Sequence, residues 1–121
     1  FPLLPIAPDA EGLLRIDWAP LLEYCSGRQR DCGERAGAVH ASLAEAICRV
    51  AAAERQRTGV AVAGLTGGVF QNRRLLELAA AGLEGEGFRV LLPERIPCND
   101  GGLSYGQVAD FLGAATAAAP H

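Results

Sequence analysis

The chain contains no lysine and no methionine, and only 6% of its residues are aromatic. A P-loop requires the lysine of G-x-x-x-x-G-K-[ST], so phosphoryl transfer of that type is excluded. The longest apolar runs, such as residues 60–65, are far shorter than the ~20 residues of a membrane span, so no transmembrane helix is expected. A chain that starts at Phe1 without methionine is expected to be processed or to be a piece of a longer polypeptide.

The chain has no excess of basic residues. Its formal net charge is -3 and its pI is about 5.3, so bulk electrostatics attracts neither nucleic acid nor an anionic membrane. No basic segment precedes the first apolar residues, and Pro2, Pro5 and Pro8 interrupt them, unlike in a secretory signal. We therefore expect a cytoplasmic protein with no nucleic acid and no membrane among its partners.

The four cysteines show neither a C-x-x-C pair nor zinc-finger spacing; they are Cys25, Cys32, Cys48 and Cys98. A chain able to bury a core has little need of disulfides, so we predict free, mostly buried thiols. Half of the 121 residues are apolar, and this length falls in the usual range of one domain. We expect residues 1–121 to form a single domain.

The first half of the chain predicts one short strand and two helices. Residues 13–17 favour a strand, and residues 18–24 favour a short helix capped by Asp17. Residues 34–57 contain no proline, and their apolar side chains recur three and four residues apart. This spacing predicts a long amphipathic helix.

The second half predicts a β-α-β unit followed by a helix. Residues 60–65 indicate a strand buried on both faces, residues 70–83 a helix and residues 88–92 a second strand. Two strands joined by a helix are expected to lie parallel, with a right-handed crossover. A last helix is expected from Leu103, with an alanine-rich end that frays towards His121. The fold class is therefore α/β, with a small sheet packed with helices.

Gly67 and Gly68 lie between the first strand of that unit and its helix. Backbone N–H groups and the helix dipole favour an anion there, and glycine lets a ligand approach the backbone closely. Asn72, on the first helical turn, is placed to hydrogen-bond a ribose or a base. From these residues alone, a phosphate cradle and an ordinary strand-to-helix turn both remain open.

Asn99, Asp100, Gly101 and Gly102 follow the second strand and open the last helix. This order places Asp100 at the carboxyl end of the sheet, beside the glycine turn, where ligands of open α/β sheets gather. A carboxylate beside a nucleotide is a reasonable ligand for a hard metal ion. Gly101 and Gly102 leave room for a phosphate or a small carbonyl group, so we count both with the nucleotide site. The alternative is an aspartate helix cap with turn glycines.

Two further residues are weighed as site candidates. His40 flanks the apolar stripe of the long helix, which favours a partly buried structural histidine. One histidine and one aspartate do not complete a metal site, so any metal site here would be incomplete. Cys98 lies close to Asp100, but no histidine stands at a recognisable spacing to activate its thiolate.

Three segments together resemble a known family. They are residues 62–72 (VAGLTGGVFQN), residues 90–92 (VLL) and residues 97–107 (PCNDGGLSYGQ). Their sequence, order and spacing resemble the HypF family of hydrogenase-maturation carbamoyltransferases. Weaker similarity extends through residues 16–22 and 39–43, so the resemblance covers most of the chain.

The resemblance implies the second lobe of an actin-like (ASKHA, ribonuclease-H-like) nucleotide-binding domain. It implies an ATP-derived carbamoyl-adenylate between two lobes, whose carbamoyl group passes to the C-terminal cysteine of HypE and later becomes cyanide on hydrogenase iron. By the same resemblance the nucleotide is held by Gly67, Gly68 and Asn72. Asp100 is then the ligand of this lobe for a divalent metal (iron, zinc or magnesium), and His40 matches a family histidine.

The chain lacks the histidine-rich metal motif of the first lobe and the upstream acylphosphatase-like, zinc-finger and carbamoyl-adenylating regions of the family. We expect the piece alone to be inactive, to expose apolar surface and to self-associate. A non-catalytic nucleotide-binding or docking module of the same fold would be favoured if Asp100 were buried in local hydrogen bonds and the glycine turn had no open cleft. A protein like the tRNA threonylcarbamoyladenosine synthase is a further alternative, which the acidic charge disfavours.

Overall fold

The computed structural model describes residues 1–27 and 30–117. In chain order its elements are β1 (Ile6–Pro8), β2 (Leu14–Ile16), α1 (Ala19–Ser26), α2 (Cys32–Thr58), β3 (Val62–Gly64), α3 (Arg73–Gly85), β4 (Arg89–Leu91) and α4 (Leu103–Ala117). Two 3-10 turns, Gly68–Gln71 and Asp100–Gly102, precede α3 and α4. The predicted α/β class is confirmed, whereas the predicted fraying of the tail concerns residues 118–121, outside the described part.

The strands form two separate two-stranded sheets instead of the single small sheet that we predicted. β1 and β2 pair antiparallel, with Ile6 opposite Ile16, and β3 and β4 pair parallel, as expected for a β-α-β unit. β1 was not predicted, because Pro5 precedes it and Pro8 is its last residue, and proline in a strand is tolerated only at edges, ends and bulges. Apolar spacing locates strands but does not say which strands pair.

The long helix α2 begins earlier than predicted because Asp31 and Glu34 form a capping box. Asp31 Oδ1 accepts a hydrogen bond from Glu34 N at 2.8 Å, and Glu34 Oε2 accepts one from Asp31 N at 3.2 Å. At the other end Gly59 adopts a left-handed φ of 76°, and its N–H donates to Arg55 O. Both ends of α2 are therefore fixed by local hydrogen bonds.

The helix α2 is buried on two sides, which a single apolar stripe did not indicate. The α2–α3 core joins α2, α3 and the β3–β4 sheet, and its buried members are Ala44, Cys48, Leu65, Leu75, Ala79, Leu83 and Phe88. On another side of α2, Ala46 packs with Leu4 and Leu21. Residues two apart on a helix point in nearly opposite directions, which explains how alternate residues reach separate cores. Arg49 Nη1 also donates to Leu4 O at 2.8 Å.

The prediction that the first strand of the β-α-β unit is buried on both faces is wrong. Val60 and Val62 are 55% and 42% exposed, whereas Ala63 packs against the α2–α3 core. Successive side chains of a strand alternate between its faces, and the helices cover only one face of β3. The side chain of Val62, on the other face, stays exposed because no described element covers it.

The four cysteines are free, as predicted, but only Cys48 is buried. Cys25 and Cys98 are half-buried, and Cys32 is exposed in the first turn of α2. The expectation of mostly buried thiols was therefore wrong, because three of the four stand at helix ends or in loops. Burial, with smaller effects of the negative charges of Glu86 and Glu45, raises the pKa of the Cys48 thiol.

The helix α4 does not pack on either sheet through its first eleven residues. Every side chain in residues 103–113 is exposed, and the large apolar ones among them are Leu103, Tyr105, Val108, Phe111 and Leu112. The expected apolar surface is thus present, and this part of α4 adds no buried side chain to the helices that pack on the sheet. Among the described helices, none has the combination of length and apolar character that crossing a membrane requires.

Candidate functional site

The turn after β3 takes its shape from Gly67. This residue has φ 103° and ψ 155°, a backbone conformation that side chains disfavour. Its carbonyl accepts a hydrogen bond from Phe70 N at 3.0 Å and so closes the 3-10 turn. Gly68 differs, because its φ is not positive and nothing lies within 4 Å of the position that a Cβ would take. Only Gly67 is therefore required by backbone conformation.

Hydrogen bonds join the glycine turn to the loop after β4. Gly67 N donates to Cys98 O at 2.5 Å, and Thr66 Oγ1 lies 3.5 Å from the same carbonyl oxygen. The two loops follow the carboxyl ends of paired parallel strands, which is why they meet. The predicted proximity of the two segments is confirmed.

Asn99, and not Asp100, caps the turn that leads into α4. Asn99 Oδ1 accepts from Gly101 N at 3.0 Å, and Asn99 O accepts from Gly102 N at 3.0 Å. A Cβ on Gly102 would lie 2.8 Å from Pro97 O, so glycine is needed for the loop to fold back on itself. Asp100 is exposed, and no described residue hydrogen-bonds its carboxylate. Its side chain is thus available to a ligand.

An open cleft of about 340 Å³ lies between the two loops. It is lined by Thr66, Gly67, Pro93, Ile96, Pro97, Cys98, Asn99, Asp100, Gly102 and Leu103. The volume is at the small end of the range of ligand pockets, about 300–1,000 Å³. The structure therefore gathers three predicted site residues, Gly67, Asp100 and Gly102, at one cleft.

The other predicted site residues lie outside the lining of this cleft; they are His40, Gly68, Asn72 and Gly101. His40 and Asn72 contact each other instead, with Asn72 Nδ2 2.8 Å from His40 Nε2. Asn72 Oδ1 accepts from Leu75 N at 3.1 Å, so Asn72 is the N-cap of α3 and does not lie in its first turn as predicted. His40 is half-buried, as expected, and its Nδ1 lies 2.6 Å from Ala36 O.

The pairing of these two side chains was not predicted, because the residues are 32 positions apart in the sequence. An asparagine three residues before a leucine, at the start of an apolar helical pattern, is a recognisable capping signal. That signal would have identified the role of Asn72 in α3. It would not have identified His40 as its partner.

Asp100 is the described residue best suited to a cation at the cleft. Among the residues that the structure describes, no three histidine, cysteine, aspartate or glutamate side chains lie close enough to hold a metal ion together. An exposed carboxylate without a local partner suits a hard divalent cation as one ligand of several.

Residues 4–107 match the family model described as "Carbamoyltransferase, Kae1-like Domain, second subdomain". The chain is 40% identical over 92 residues to carbamoyltransferase HypF of Rhodobacter capsulatus, a match that covers 76% of this chain and 12% of that protein. It is 36% identical over 104 residues to a HypF homologue of Cupriavidus necator, covering 82% of this chain and 26% of that protein. The chain thus spans only a small part of these relatives.

Two further similarities are informative. A tRNA N6-adenosine threonylcarbamoyltransferase of Aromatoleum aromaticum is 35% identical over 92 residues, covering 76% of this chain and 26% of that protein. The crystal structure of full-length HypF in the phosphate- and nucleotide-bound form matches with a TM-score of 0.82 and 28% identity. That match covers 88% of this chain and 14% of the crystallised chain.

Proposed function

Since the chain belongs to the HypF carbamoyltransferase family, we propose that it forms one wall of a site that binds carbamoyl-adenylate. The open cleft at which Gly67, Asp100 and Gly102 meet carries this proposal. The solved relative is a phosphate- and nucleotide-bound form, which supports a nucleotide ligand. In the complete polypeptide the carbamoyl group would pass to the C-terminal cysteine of HypE in the cytoplasm and become the cyanide ligand of a nickel-iron hydrogenase.

In the proposed reaction this lobe positions the carbamoyl-adenylate and does not supply the nucleophile. Carbamoyl-adenylate is a mixed anhydride, so the partner's thiolate attacks the carbamoyl carbon, the bond to the phosphate oxygen breaks and AMP leaves. Orientation and a Lewis acid accelerate such a step. We assign Cys98 no part in this step, because no described base contacts its thiol; its backbone carbonyl accepts the hydrogen bond from Gly67 N.

The hydrogen bonds assign different tasks to the two glycines of the turn. Gly67 N already donates to Cys98 O, so this N–H group is not free for a phosphate. No described residue accepts a hydrogen bond from Gly68 N, and the space beside this residue is open. Gly68 does not line the cleft itself but directly follows Gly67, which does. We therefore assign the phosphate contact of this turn to Gly68 N and a shaping role to Gly67.

Asp100 and Asn72 complete the assignment. Asp100 would supply the one metal ligand of this lobe, and a divalent ion there would neutralise charge on the phosphate. Asn72, exposed beside the turn, would hydrogen-bond the nucleoside. Because the rest of the ligand set and the other wall belong to other parts of the family's polypeptide, the 121 residues alone would be inactive.

The test is calorimetric titration of AMP with a divalent metal into the polypeptide that carries the complete two-lobed domain. We expect Asp100→Ala to weaken metal-dependent AMP binding by at least about tenfold, a loss that even outer-shell partners of a metal ligand cause. Asp110→Ala is the matched control, since Asp110 is an exposed aspartate of α4 that does not line the cleft. Equal binding by Asp100→Ala and wild type, or no binding by wild type, would overturn the assignment.

Neither of the two conditions that would favour the docking-module alternative is met. It would have been favoured by an Asp100 buried in local hydrogen bonds and by a glycine turn without an open cleft. Asp100 is instead exposed without a described partner, and Gly67 lines the cleft. The similarity to a tRNA N6-adenosine threonylcarbamoyltransferase keeps tRNA modification as a second candidate. The net charge of -3 argues against it, and tRNA binding by the two-lobed protein in a gel-shift assay would favour it.

A further inference from the structure

The side chains of His40 and Asn72 belong to one chain of hydrogen bonds that runs from α2 to the start of α3. At one end His40 Nδ1 lies 2.6 Å from Ala36 O, and at the other Leu75 N donates to Asn72 Oδ1 at 3.1 Å. Between them Asn72 Nδ2 and His40 Nε2 are 2.8 Å apart. Both ends of the chain are backbone groups with a fixed donor or acceptor character.

The two backbone groups determine which atom donates and which accepts in each of these hydrogen bonds. A carbonyl oxygen only accepts, so His40 Nδ1 must carry a proton and donate to Ala36 O. The Nε2 atom of the neutral ring is then an acceptor, and Asn72 Nδ2 donates to it. The amide oxygen of Asn72 faces Leu75 N, which can only donate. All three contacts are satisfied by a single tautomer of His40 and a single orientation of the Asn72 amide.

The side-chain amide of Asn72 still has hydrogen-bonding groups that are free for a ligand. Asn72 has two N–H donors and two oxygen lone pairs. The hydrogen bonds to His40 and from Leu75 N use one of each. One donor and one acceptor remain on a side chain that is exposed. The edge of adenine at N6 and N7 offers the complementary donor and acceptor.

We propose that His40 is a positioning residue that fixes the orientation in which the Asn72 amide meets a nucleotide. The proposal rests on the nucleotide-binding role proposed for Asn72. The cap bond to Leu75 restrains only the oxygen of the amide, and the bond to His40 restrains its nitrogen. A ligand then meets an amide that is already oriented, and the entropic cost of ordering this exposed side chain is lower.

The first arm of the test is ¹⁵N NMR of the imidazole of His40 and of the side-chain amide of Asn72. The neutral ring is expected to carry its proton on Nδ1, and Asn72→Ala is expected to shift the Nε2 resonance. A ring protonated on Nε2, or an Nε2 resonance unaffected by Asn72→Ala, would overturn the proposal. This arm requires no nucleotide, so its outcome does not depend on the proposed function.

The second arm measures AMP binding, with a divalent metal, by variants of the two-lobed protein. His40→Phe keeps a ring but removes the acceptor, and we expect binding about tenfold weaker, as for the loss of one hydrogen bond. His40→Gln supplies an amide oxygen as acceptor and is expected to recover most of the affinity. Equal weakening by both substitutions would overturn the proposal, because a role confined to packing predicts no rescue.

Failure of the inference and failure of the proposed function give different results. If Asn72→Ala abolishes AMP binding while His40→Phe binds as well as wild type, the role of Asn72 stands and that of His40 is overturned. If Asn72→Ala binds AMP as well as wild type, the proposed nucleotide role of Asn72 fails, and the positioning role of His40 fails with it. The NMR arm then still reports whether the two side chains are paired.

Discussion

The α2–α3 core and residues 92–113, here termed the cleft segment, differ in what holds them in place. The core contains seven buried apolar side chains. The cleft segment, which carries Asp100 and the exposed part of α4, has no buried side chain. Buried apolar contacts therefore hold the core in place, whereas the cleft segment presents Asp100 on backbone that no buried side chain anchors. Substitutions should therefore separate stability from binding.

The largest effect is expected for Leu83→Ala in the core. Leu83 is fully buried, and its truncation removes apolar contacts and leaves a cavity beside α2. The free energy of unfolding is expected to fall by about 2–5 kcal/mol, measured by urea denaturation. Phe111→Ala is the control in the cleft segment, because its ring is 72% exposed and its loss should cost less than about 0.5 kcal/mol. A comparable loss in both variants would show that α4 is packed after all.

A smaller loss is expected at a tight contact between the two helices of the core, where Gly82 faces Cys48. A Cβ on Gly82 would lie 2.6 Å from Cys48 Sγ, so Gly82→Ala should reduce the free energy of unfolding by about 1–3 kcal/mol. Gly85→Ala, at a position with no atom within 4 Å, is the matched control and should be neutral or stabilising by up to about 1 kcal/mol.

A double variant tests whether the Cys48 thiol causes the loss of stability expected for Gly82→Ala. Removing the thiol in Cys48→Ala/Gly82→Ala vacates the space that the new methyl group needs. The combined loss should therefore be smaller than the sum of the two single losses. Strict additivity in urea denaturation would contradict the contact.

Substitution of exposed apolar residues of α4 should alter association and leave the free energy of unfolding almost unchanged. Val108 and Phe111 are both exposed, and exposed apolar patches of this kind favour contact with another surface. The 121-residue chain is expected to self-associate in sedimentation velocity, and Val108→Ser/Phe111→Ser is expected to shift it towards monomer. A wild-type chain that is monomeric at all concentrations would contradict this expectation.

The smallest effect concerns the β1–β2 hairpin. The hydrogen bond from Arg15, followed by backbone N–H bonds such as that of Leu13, lowers the pKa of the Asp9 carboxyl below its ordinary value of 3.8. A lowered pKa in the folded state contributes stability above the unfolded pKa, and this stability is lost as pH falls through the folded pKa. Carboxyl ¹³C shifts should show Asp9 titrating below pH 3.8. Asp9→Asn should abolish the pH response of the hairpin amides, and titration at or above the ordinary value would contradict the prediction.

Local spacing predicted the elements better than it predicted their contacts. The β-α-β unit and α2 followed from apolar periodicity and from glycines at their ends. The meeting of Gly67 and Asp100 at one cleft also followed, since both residues come after parallel strands. Separation into two sheets and the exposure of α4 did not follow, because both depend on which surfaces meet. The pairing of His40 with Asn72 likewise depends on how α2 lies beside α3.

The helix α2 also makes distant parts of the chain mechanically dependent on each other. Its 27 residues form a rod about 40 Å long, at 1.5 Å per residue. Arg49 ties this rod to the backbone at Leu4, and His40 ties it to Asn72. A substitution near Leu4 that tilts α2 is therefore expected to displace His40, and with it the Asn72 amide that caps α3. The N-terminal segment would in this way influence a proposed nucleotide ligand that it does not itself contact.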